Sequence, residues 1–320
     1  MVGTRRSCLV LAGWGWGLGW GQSAWAQAQG ATVCLALSDS GGAYAEAAEV
    51  FRQELEKAPR PPQLVVAPWH ELTTPPQRPP QLVVTLGVAA YRGVAEGSRP
   101  GGLWARVPLL AGLLPRSAFV PVPGRSQQMA SAVYLDQPVD RYLRLIDSAL
   151  PGRRRVGVLW GPTSHPLRAD LSKAAQVLGM RLVEATLPAQ AEPGEVYSAL
   201  LKVLPEVDVL LGLPDPLVFN AQSLQNLLIT TYRQRVPFFS YAASHVAAGA
   251  TAALHVTPKQ VGARLAALAR TAVSGSLLPG AMASPDFEVA LNAQVGRSLG
   301  LALPTADALV LALRQSEGLQ

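Results

Sequence analysis

The chain has 320 residues, of which 49% are hydrophobic and 15% are charged. This length and composition exclude a disordered protein and fit a chain with two domains, at roughly 150 residues for each. The net charge of +6 is spread along the sequence, and 6% of the residues are aromatic. We therefore predict no basic arm and no base-stacking platform, and we expect no nucleic-acid partner.

The N-terminal segment, residues 1–26, has the organisation of a signal peptide. Two arginines precede an apolar run at residues 8–20, which as a helix would cover only about 20 Å of a bilayer core of roughly 30 Å. Small residues between positions 24 and 28 then offer alternative A-x-A cleavage sites. We favour cleavage after Ala26, which would release the mature protein into the periplasm.

Two other export signals compete with this interpretation. Arg5 and Arg6 could form a twin-arginine signal, although the residues that follow them fit that pattern poorly. Cys8 could be a lipidation site, although polar and basic residues stand before it where such a site needs apolar ones. Once Cys8 is removed, Cys34 is the only cysteine left, so no internal disulfide is expected, and its apolar neighbours predict a buried side chain.

From residue 31 onward, short apolar runs alternate with segments of helical periodicity, which is typical of parallel α/β units. Eight prolines between Pro59 and Pro80 exclude a helix interior there and divide that segment into loops. No later stretch has the 18 continuous apolar residues of a membrane span, so we expect a soluble mature protein. In the first half we predict helices at 43–57 and from about 89, and strands at 32–37, 63–66, 81–86 and 107–113.

The second half of the chain repeats this scheme. Asp136 is predicted to cap a helix that carries Pro138 in its first turn and runs to Leu150. Further helices are predicted around 171–178 and at 195–204 and 223–233, with strands at 155–160, 181–185, 207–213 and 236–241. Two similar halves of alternating strand and helix predict two doubly wound, Rossmann-like lobes of the α/β class.

The turns after the predicted strands are the candidate ligand-binding segments, because ligands of open α/β sheets bind at the carboxyl ends of the strands. Most of these turns are small and hydroxylated, and backbone N–H groups at the helix starts that follow could hold a carboxylate or a phosphate. The candidate ligand-binding residues are Ser38, Ser40, Gly87, Tyr134, Thr163, Ser164, Asp215, Ser240 and Tyr241.

The polar candidates each have a structural alternative. Asp215 directly follows an apolar strand, where its carboxylate could pair with an ammonium group or accept a hydrogen bond from a sugar or amide. It could equally cap a turn or a helix. Ser38 and Ser40 could bind a ligand carboxylate or serve as helix N-caps, and Thr163 and Ser164 have the same two interpretations.

The sequence contains no pattern of a known catalytic or metal site. The H-E-x-x-H, G-x-S-x-G and P-loop patterns are absent, and His70 with Glu71 lacks the second histidine of a zinc site. His165 next to Ser164 is the nearest arrangement to a nucleophile with a base, but no strained turn presents the serine. We predict a non-enzymatic protein without metal or cofactor.

Six segments, in order and with compatible spacing, resemble the ABC-transporter substrate-binding proteins of the TrpX-like family. The segments are SAVYLDQPVDRYLRLIDSALP (131–151), RRVGVLWGPTS (154–164), VDVLLGLPD (207–215), TYRQRVPFFSY (231–241), GATAAL (249–254) and FEVALNAQVGRSLGLALP (287–304). Residues 31–130 match only in their rhythm of strands and turns.

This resemblance implies the fold of a type 1 periplasmic binding protein, in which three crossovers join two Rossmann-like lobes and a ligand is closed between them. Lobe one would comprise residues 27–133 and 242–283, and lobe two residues 134–241 and 284–320. Tyr134 and Tyr241 would then lie at crossovers, where an aromatic ring could stack on a ligand or fill the core between the lobes.

The resemblance also implies a function. Relatives bind amino acids and other small solutes and hand them to a membrane permease that is driven by a cytoplasmic ATPase. We expect this chain to be a monomer that binds one small polar solute, with amino acids as the leading class, and delivers it to an inner-membrane permease. The alternative is a ligand-binding sensor or interaction protein of the same fold without transport.

Overall fold

The computed structural model describes residues 31–72, 79–126 and 129–318. The predicted signal peptide lies outside these residues. The described residues form two α/β lobes, each built around a six-stranded sheet. The prediction of two doubly wound lobes is therefore confirmed.

The first lobe contains a sheet whose strands all run parallel, in the order β11-β5-β4-β3-β1-β2. The strands are β1 (Thr32–Leu37), β2 (Gln63–Pro68), β3 (Leu82–Leu86), β4 (Leu109–Leu114), β5 (Ala130–Tyr134) and β11 (Met282–Ala283). Helices α1 (Gly42–Glu56) and α8 (Pro258–Val273) cover one face, and α2 (Val88–Gly97) covers the other.

The second lobe contains a sheet in the order β12-β10-β9-β8-β6-β7, which is parallel except for the antiparallel pair of β10 and β12. The strands are β6 (Arg155–Trp160), β7 (Arg181–Thr186), β8 (Val209–Leu211), β9 (Phe238–Ser240), β10 (Ala252–His255) and β12 (Glu288–Leu291). The helices are α3 (Val139–Ala149), α4 (Arg168–Val177), α5 (Pro193–Val203), α6 (Ala221–Arg233), α7 (Ala243–Ala248), α9 (Ala293–Ser298) and α10 (Ala306–Ser316).

The inner strands are buried on both faces, which explains their uninterrupted apolar sequences. All six residues of β4 and all five of β3 are buried, because helices cover both sides of a parallel sheet. The edge strands β2 and β7 keep partly exposed positions throughout. Among the described residues, no helix is both long enough and apolar enough to cross a bilayer.

In the described residues the chain passes between the two sheets three times, at 135–138, 256–257 and 284–287. The second passage differs from the prediction, which returned the chain to the first lobe at 242. Strand β10 instead pairs with β9 and β12 and stays in the second sheet. The chain then enters α8, which Thr257 caps and which packs against α1.

Candidate functional site

Ser38 follows β1 and supports the start of α2. Its Oγ accepts a hydrogen bond from the backbone N–H of Ala90 at 2.8 Å, which is the bond that an N-cap side chain would normally make. The N-cap position itself is Gly87, which has no side chain to offer. Ser38 therefore acts as the missing cap from a neighbouring strand.

Gly87 is required by this arrangement. It has a φ of +94°, and a Cβ at this position would lie 2.5 Å from Ser38 Oγ and 2.5 Å from Tyr44 Cε1. Any other residue would push the capping hydroxyl away. Two of the predicted ligand contacts, Ser38 and Gly87, are thus brought together, and the contacts they make are internal to the first lobe.

Ser40 lies in the exposed turn before α1. The turn is held by Asp39, whose Oδ1 accepts a hydrogen bond from the backbone N–H of Gly41 at 2.9 Å. Gly41 is the N-cap residue of α1, and no side chain caps this helix. The amino end of α1 and the Ser40 hydroxyl therefore lie together at the carboxyl edge of the first sheet.

Asp215 is the most heavily hydrogen-bonded of the predicted site residues. Its Oδ2 accepts hydrogen bonds from the backbone N–H groups of Thr163 (3.0 Å) and Ser164 (2.8 Å) and from Ser164 Oγ (2.9 Å). Its Oδ1 accepts one from the N–H of Leu217 at 3.0 Å. The side chain is 1% exposed. The carboxylate braces two turns against each other, so its predicted exposure to a ligand ammonium is not found.

Gly161 makes room for this carboxylate. It directly follows β6, and a Cβ on it would lie 2.5 Å from both oxygens of Asp215. Its backbone N–H donates a hydrogen bond to Ser164 Oγ at 3.1 Å. Ser164 is fully buried and Thr163 is half-buried. The structure thus joins Thr163, Ser164 and Asp215 in one network at the carboxyl edge of the second sheet.

Ser240 ends β9 and Tyr241 follows it, beside a buried histidine that the sequence did not single out. Ser240 Oγ lies 2.6 Å from His245 Nδ1, and both residues are buried. Burial lowers the pKa of His245, which keeps its ring neutral near pH 7. The carboxylate of Asp215 accepts its bonds from other donors, so these groups do not form a Ser-His-Asp triad.

Tyr241 packs in an aromatic cluster. Its ring lies 5.0 Å from the ring of His245 and 5.8 Å from that of Phe219, in edge-on arrangements. Burial, and then the charges of Asp215 and Asp136, raise the pKa of Tyr241 to about 12. The phenol is therefore a neutral hydroxyl at physiological pH.

Tyr134 lies at the first passage between the lobes. It ends β5 and packs edge-on against Phe119, with ring centroids 5.9 Å apart. Two residues later, Asp136 Oδ2 accepts a hydrogen bond from the backbone N–H of Arg116 at 2.6 Å. The prediction that Asp136 caps α3 is wrong, because the N-cap position is Pro138 and the carboxylate turns back to the first lobe. Burial raises the pKa of Asp136.

A cavity of about 590 Å³ adjoins this passage. Its walls come from both lobes, because they include Arg116 and β11 on one side and α3 and α4 on the other. Of the nine predicted site residues, Tyr134 lines it. Asp136 and Arg116 also line it, although 20 positions separate them in the sequence and no pattern predicts that they meet.

Comparison with protein families assigns the chain to a known family. The model of the ABC transporter substrate binding protein family matches residues 128–300, which is more than half of the 320 residues. The chain belongs to this family. Its members are usually extracytoplasmic and bind a small molecule for a membrane transporter. No curated protein matches the sequence.

Solved structures with the same fold are distant in sequence. A conserved domain protein from Vibrio cholerae O1 biovar El Tor is 18% identical with a TM-score of 0.58, over 88% of this chain and 98% of that chain. An open, ligand-free substrate binding protein with adhesive properties from Clostridium difficile is 15% identical with a TM-score of 0.68, over 86% and 96%. The ABC domain from Streptococcus pneumoniae in complex with L-Trp is 13% identical with a TM-score of 0.57, over 88% and 98%. At these identities the likeness concerns the fold.

Proposed function

We propose that this chain is the extracytoplasmic solute-binding component of an ABC import system. In this proposal a small polar solute binds between the two lobes and is passed to an inner-membrane permease, whose transport is driven by a cytoplasmic ATPase. The observation that carries the proposal is the family match over residues 128–300 on a chain folded as two lobes with three passages between them. No catalytic step is part of it.

An amino acid is the leading class of solute. The amino end of α1 has no side-chain cap, and the N–H groups at a helix start attract carboxylates. The exposed Ser40 hydroxyl in the same turn adds a further donor. The L-Trp bound to the streptococcal neighbour belongs to the same class of ligand.

The remaining predicted contacts divide into two groups. Tyr134 and Tyr241 stay proposed ligand contacts, because each is half-buried and lies at the carboxyl edge of its sheet, Tyr134 as the last residue of β5 and Tyr241 directly after β9. The other hydrogen-bonded positions are proposed to shape the edges behind the ligand. These positions are Ser38, Gly87, Thr163, Ser164, Asp215 and Ser240.

A thermal-shift screen with amino acids, purines, sugars and oligopeptides tests the class of solute. A solute bound with a Kd of about 1 μM raises the free energy of unfolding by roughly 2.7 kcal/mol at hundredfold excess over Kd. We expect at least one amino acid to raise the melting temperature of the mature chain. A flat response to every amino acid, with a response to a sugar or purine, would overturn this class.

A negative charge placed at the start of α1 tests whether the carboxylate of the ligand binds there. Ser40→Glu puts a carboxylate beside the free N–H groups, so we expect the affinity for the amino acid to fall roughly tenfold by repulsion. The same charge interacts favourably with the helix dipole and should leave stability unchanged or raise it by about 0.3 to 1 kcal/mol. The matched control is Ser276→Glu, an exposed position after α8. Equal affinity of both variants would place the ligand elsewhere.

A further inference from the structure

A second cavity, of about 330 Å³, lies on the flank of the first lobe. Its walls come from residues 116–126, from β5 and from the two residues before β11. Two arginines, Arg116 and Arg125, line it, and no acidic side chain of the described residues lies on its wall. We call this space the flank cavity.

Arg125 carries donors that the described part of the chain does not use. Its Nη2 donates a hydrogen bond to the backbone carbonyl of Val107. Its Nε and Nη1 are shielded from solvent and meet no acceptor among the described residues. The side chain is half-buried and its guanidinium keeps its charge, and donors that water does not reach are unfavourable without an acceptor. An anion beside the guanidinium would supply an acceptor.

Arg116 supplies a second cation at the same cavity. Its backbone N–H is engaged by Asp136, while its side chain is exposed and lines both the flank cavity and the 590 Å³ cavity at the first passage. Phe119 and Tyr134, whose rings pack edge-on against each other, also line the flank cavity and provide an apolar surface. Two cations on an apolar wall suit a small molecule with an anionic group.

We propose that the flank cavity binds a small oxyanion, whose carboxylate or phosphate oxygens pair with the guanidinium groups of Arg125 and Arg116. Arginine forms its strongest hydrogen bonds with these groups, because both partners are charged and the planar donors match the oxygens. The volume lies in the range of small-molecule sites. The site lies apart from the start of α1, since neither Ser40 nor Gly41 lines it, and it shares only Tyr134 with the proposed solute contacts.

The test is a calorimetric titration of the full mature chain in a phosphate-free buffer at constant ionic strength. Sodium phosphate and sodium succinate are the two probes, and sodium chloride is the control for screening. We expect phosphate or succinate to bind with a Kd below about 1 mM. Arg125→Met should weaken that binding about tenfold or more, because it removes the positive charge and keeps an unbranched side chain of similar shape.

Arg116→Gln is a second test of the cavity in case the Arg125→Met variant does not fold. The Arg116 side chain is exposed and its bond to Asp136 uses the backbone, so the fold should not depend on it. The matched control is Arg106→Gln, an exposed arginine of the same lobe that does not line the cavity. The proposal holds if Arg116→Gln weakens binding and Arg106→Gln does not. It is overturned if neither anion binds beyond the chloride control, or if both cavity variants bind within about twofold of the parent.

Discussion

The carboxyl edges of the two sheets share one packing arrangement but build it from different polar groups. In each lobe a glycine directly follows a strand, and a polar side chain from elsewhere in the lobe fills the space where its Cβ would be. In the first lobe the filler is the neutral hydroxyl of Ser38 against Gly87, and it accepts one backbone N–H. In the second lobe it is the carboxylate of Asp215 against Gly161, and it accepts four hydrogen bonds.

This difference indicates how firmly each edge is held. Hydrogen bonds to an ionised acceptor are stronger than those to a neutral one, and an acceptor shared by several donors joins all of them. The second edge is therefore braced by one buried charge, whereas the first edge relies on a single capping bond. If a ligand is to select a conformation, the first edge is the more adaptable one, and the exposed turn with Ser40 lies there.

The largest effect is expected from removing the charge at the second edge. Asp215→Ala leaves the N–H groups of Thr163, Ser164 and Leu217 without their acceptor, and each unsatisfied group costs about 1 to 3 kcal/mol. We expect a loss of roughly 3 to 5 kcal/mol in the free energy of unfolding, measured by urea denaturation. Asp215→Asn, which retains one acceptor oxygen, should lose less. A loss below about 1 kcal/mol for the alanine variant would contradict the brace.

The next largest loss of stability is expected at the glycine that faces this carboxylate. Gly161→Ala places a Cβ 2.5 Å from both oxygens of Asp215, and such overpacking costs about 1 to 3 kcal/mol. In an Asp215→Ala background the same substitution should cost much less, because the clashing oxygens are gone. The control is Gly194→Ala near the start of α5, where a Cβ would meet nothing within 4 Å. Equal cost of Gly161→Ala in both backgrounds would show that the clash lies elsewhere.

A smaller effect is expected at the first edge. Ser38→Ala removes the acceptor of the Ala90 N–H and should lower the free energy of unfolding by about 1 kcal/mol, the usual cost of a lost N-cap. Thermal and urea unfolding of this variant and of Asp215→Ala compare the free energy of unfolding that each edge contributes. A Ser38→Ala variant that is destabilised as much as Asp215→Ala would remove the distinction between them.

The smallest effect concerns pH and the buried ring behind the second edge. Burial lowers the pKa of His245, so below its unfolded pKa of about 6.5 the unfolded chain binds a proton that the folded chain resists. Stability should therefore fall as the pH drops through this value, at no more than about 1.4 kcal/mol per pH unit for this group.

Histidine-to-glutamine variants separate this contribution from the rest of the chain. His245→Gln should flatten the pH dependence of urea unfolding between pH 7 and 5.5, and His70→Gln, at an exposed position, should leave it unchanged. Burial also lowers the pKa of His255, so part of the slope remains in the variant. Identical slopes for the parent and His245→Gln would refute the assignment.

The sequence was informative where burial alone decides the structure. The predicted bounds of β1 and β6 agree with the structure, because strands covered on both faces are uninterrupted apolar runs. Strand β10 was assigned to the wrong lobe, since a strand of four residues does not reveal which sheet it joins. Strand β5, also short, had no predicted counterpart.

The candidate site was harder to predict, because its chemistry depends on pairings between distant positions. Asp215 was correctly placed after a strand, but its donors at Thr163 and Ser164 stand more than 50 positions away. Asp136 was predicted as the cap of the next helix, whereas it accepts its bond from Arg116 in the other lobe. The residue types indicated polar edges, and the fold determined which of these polar groups form hydrogen bonds within the protein.

Small-angle scattering of the mature chain, with and without the amino acid found in the screen, tests the central proposal most directly. Two lobes that share a ligand and are joined by three passages should close when it binds, since the ligand stabilises the state in which both edges contact it. We predict a smaller radius of gyration at saturation, and a weaker effect at the same concentration for Ser40→Glu. An unchanged radius of gyration at saturating ligand, with binding verified by calorimetry, would contradict the account.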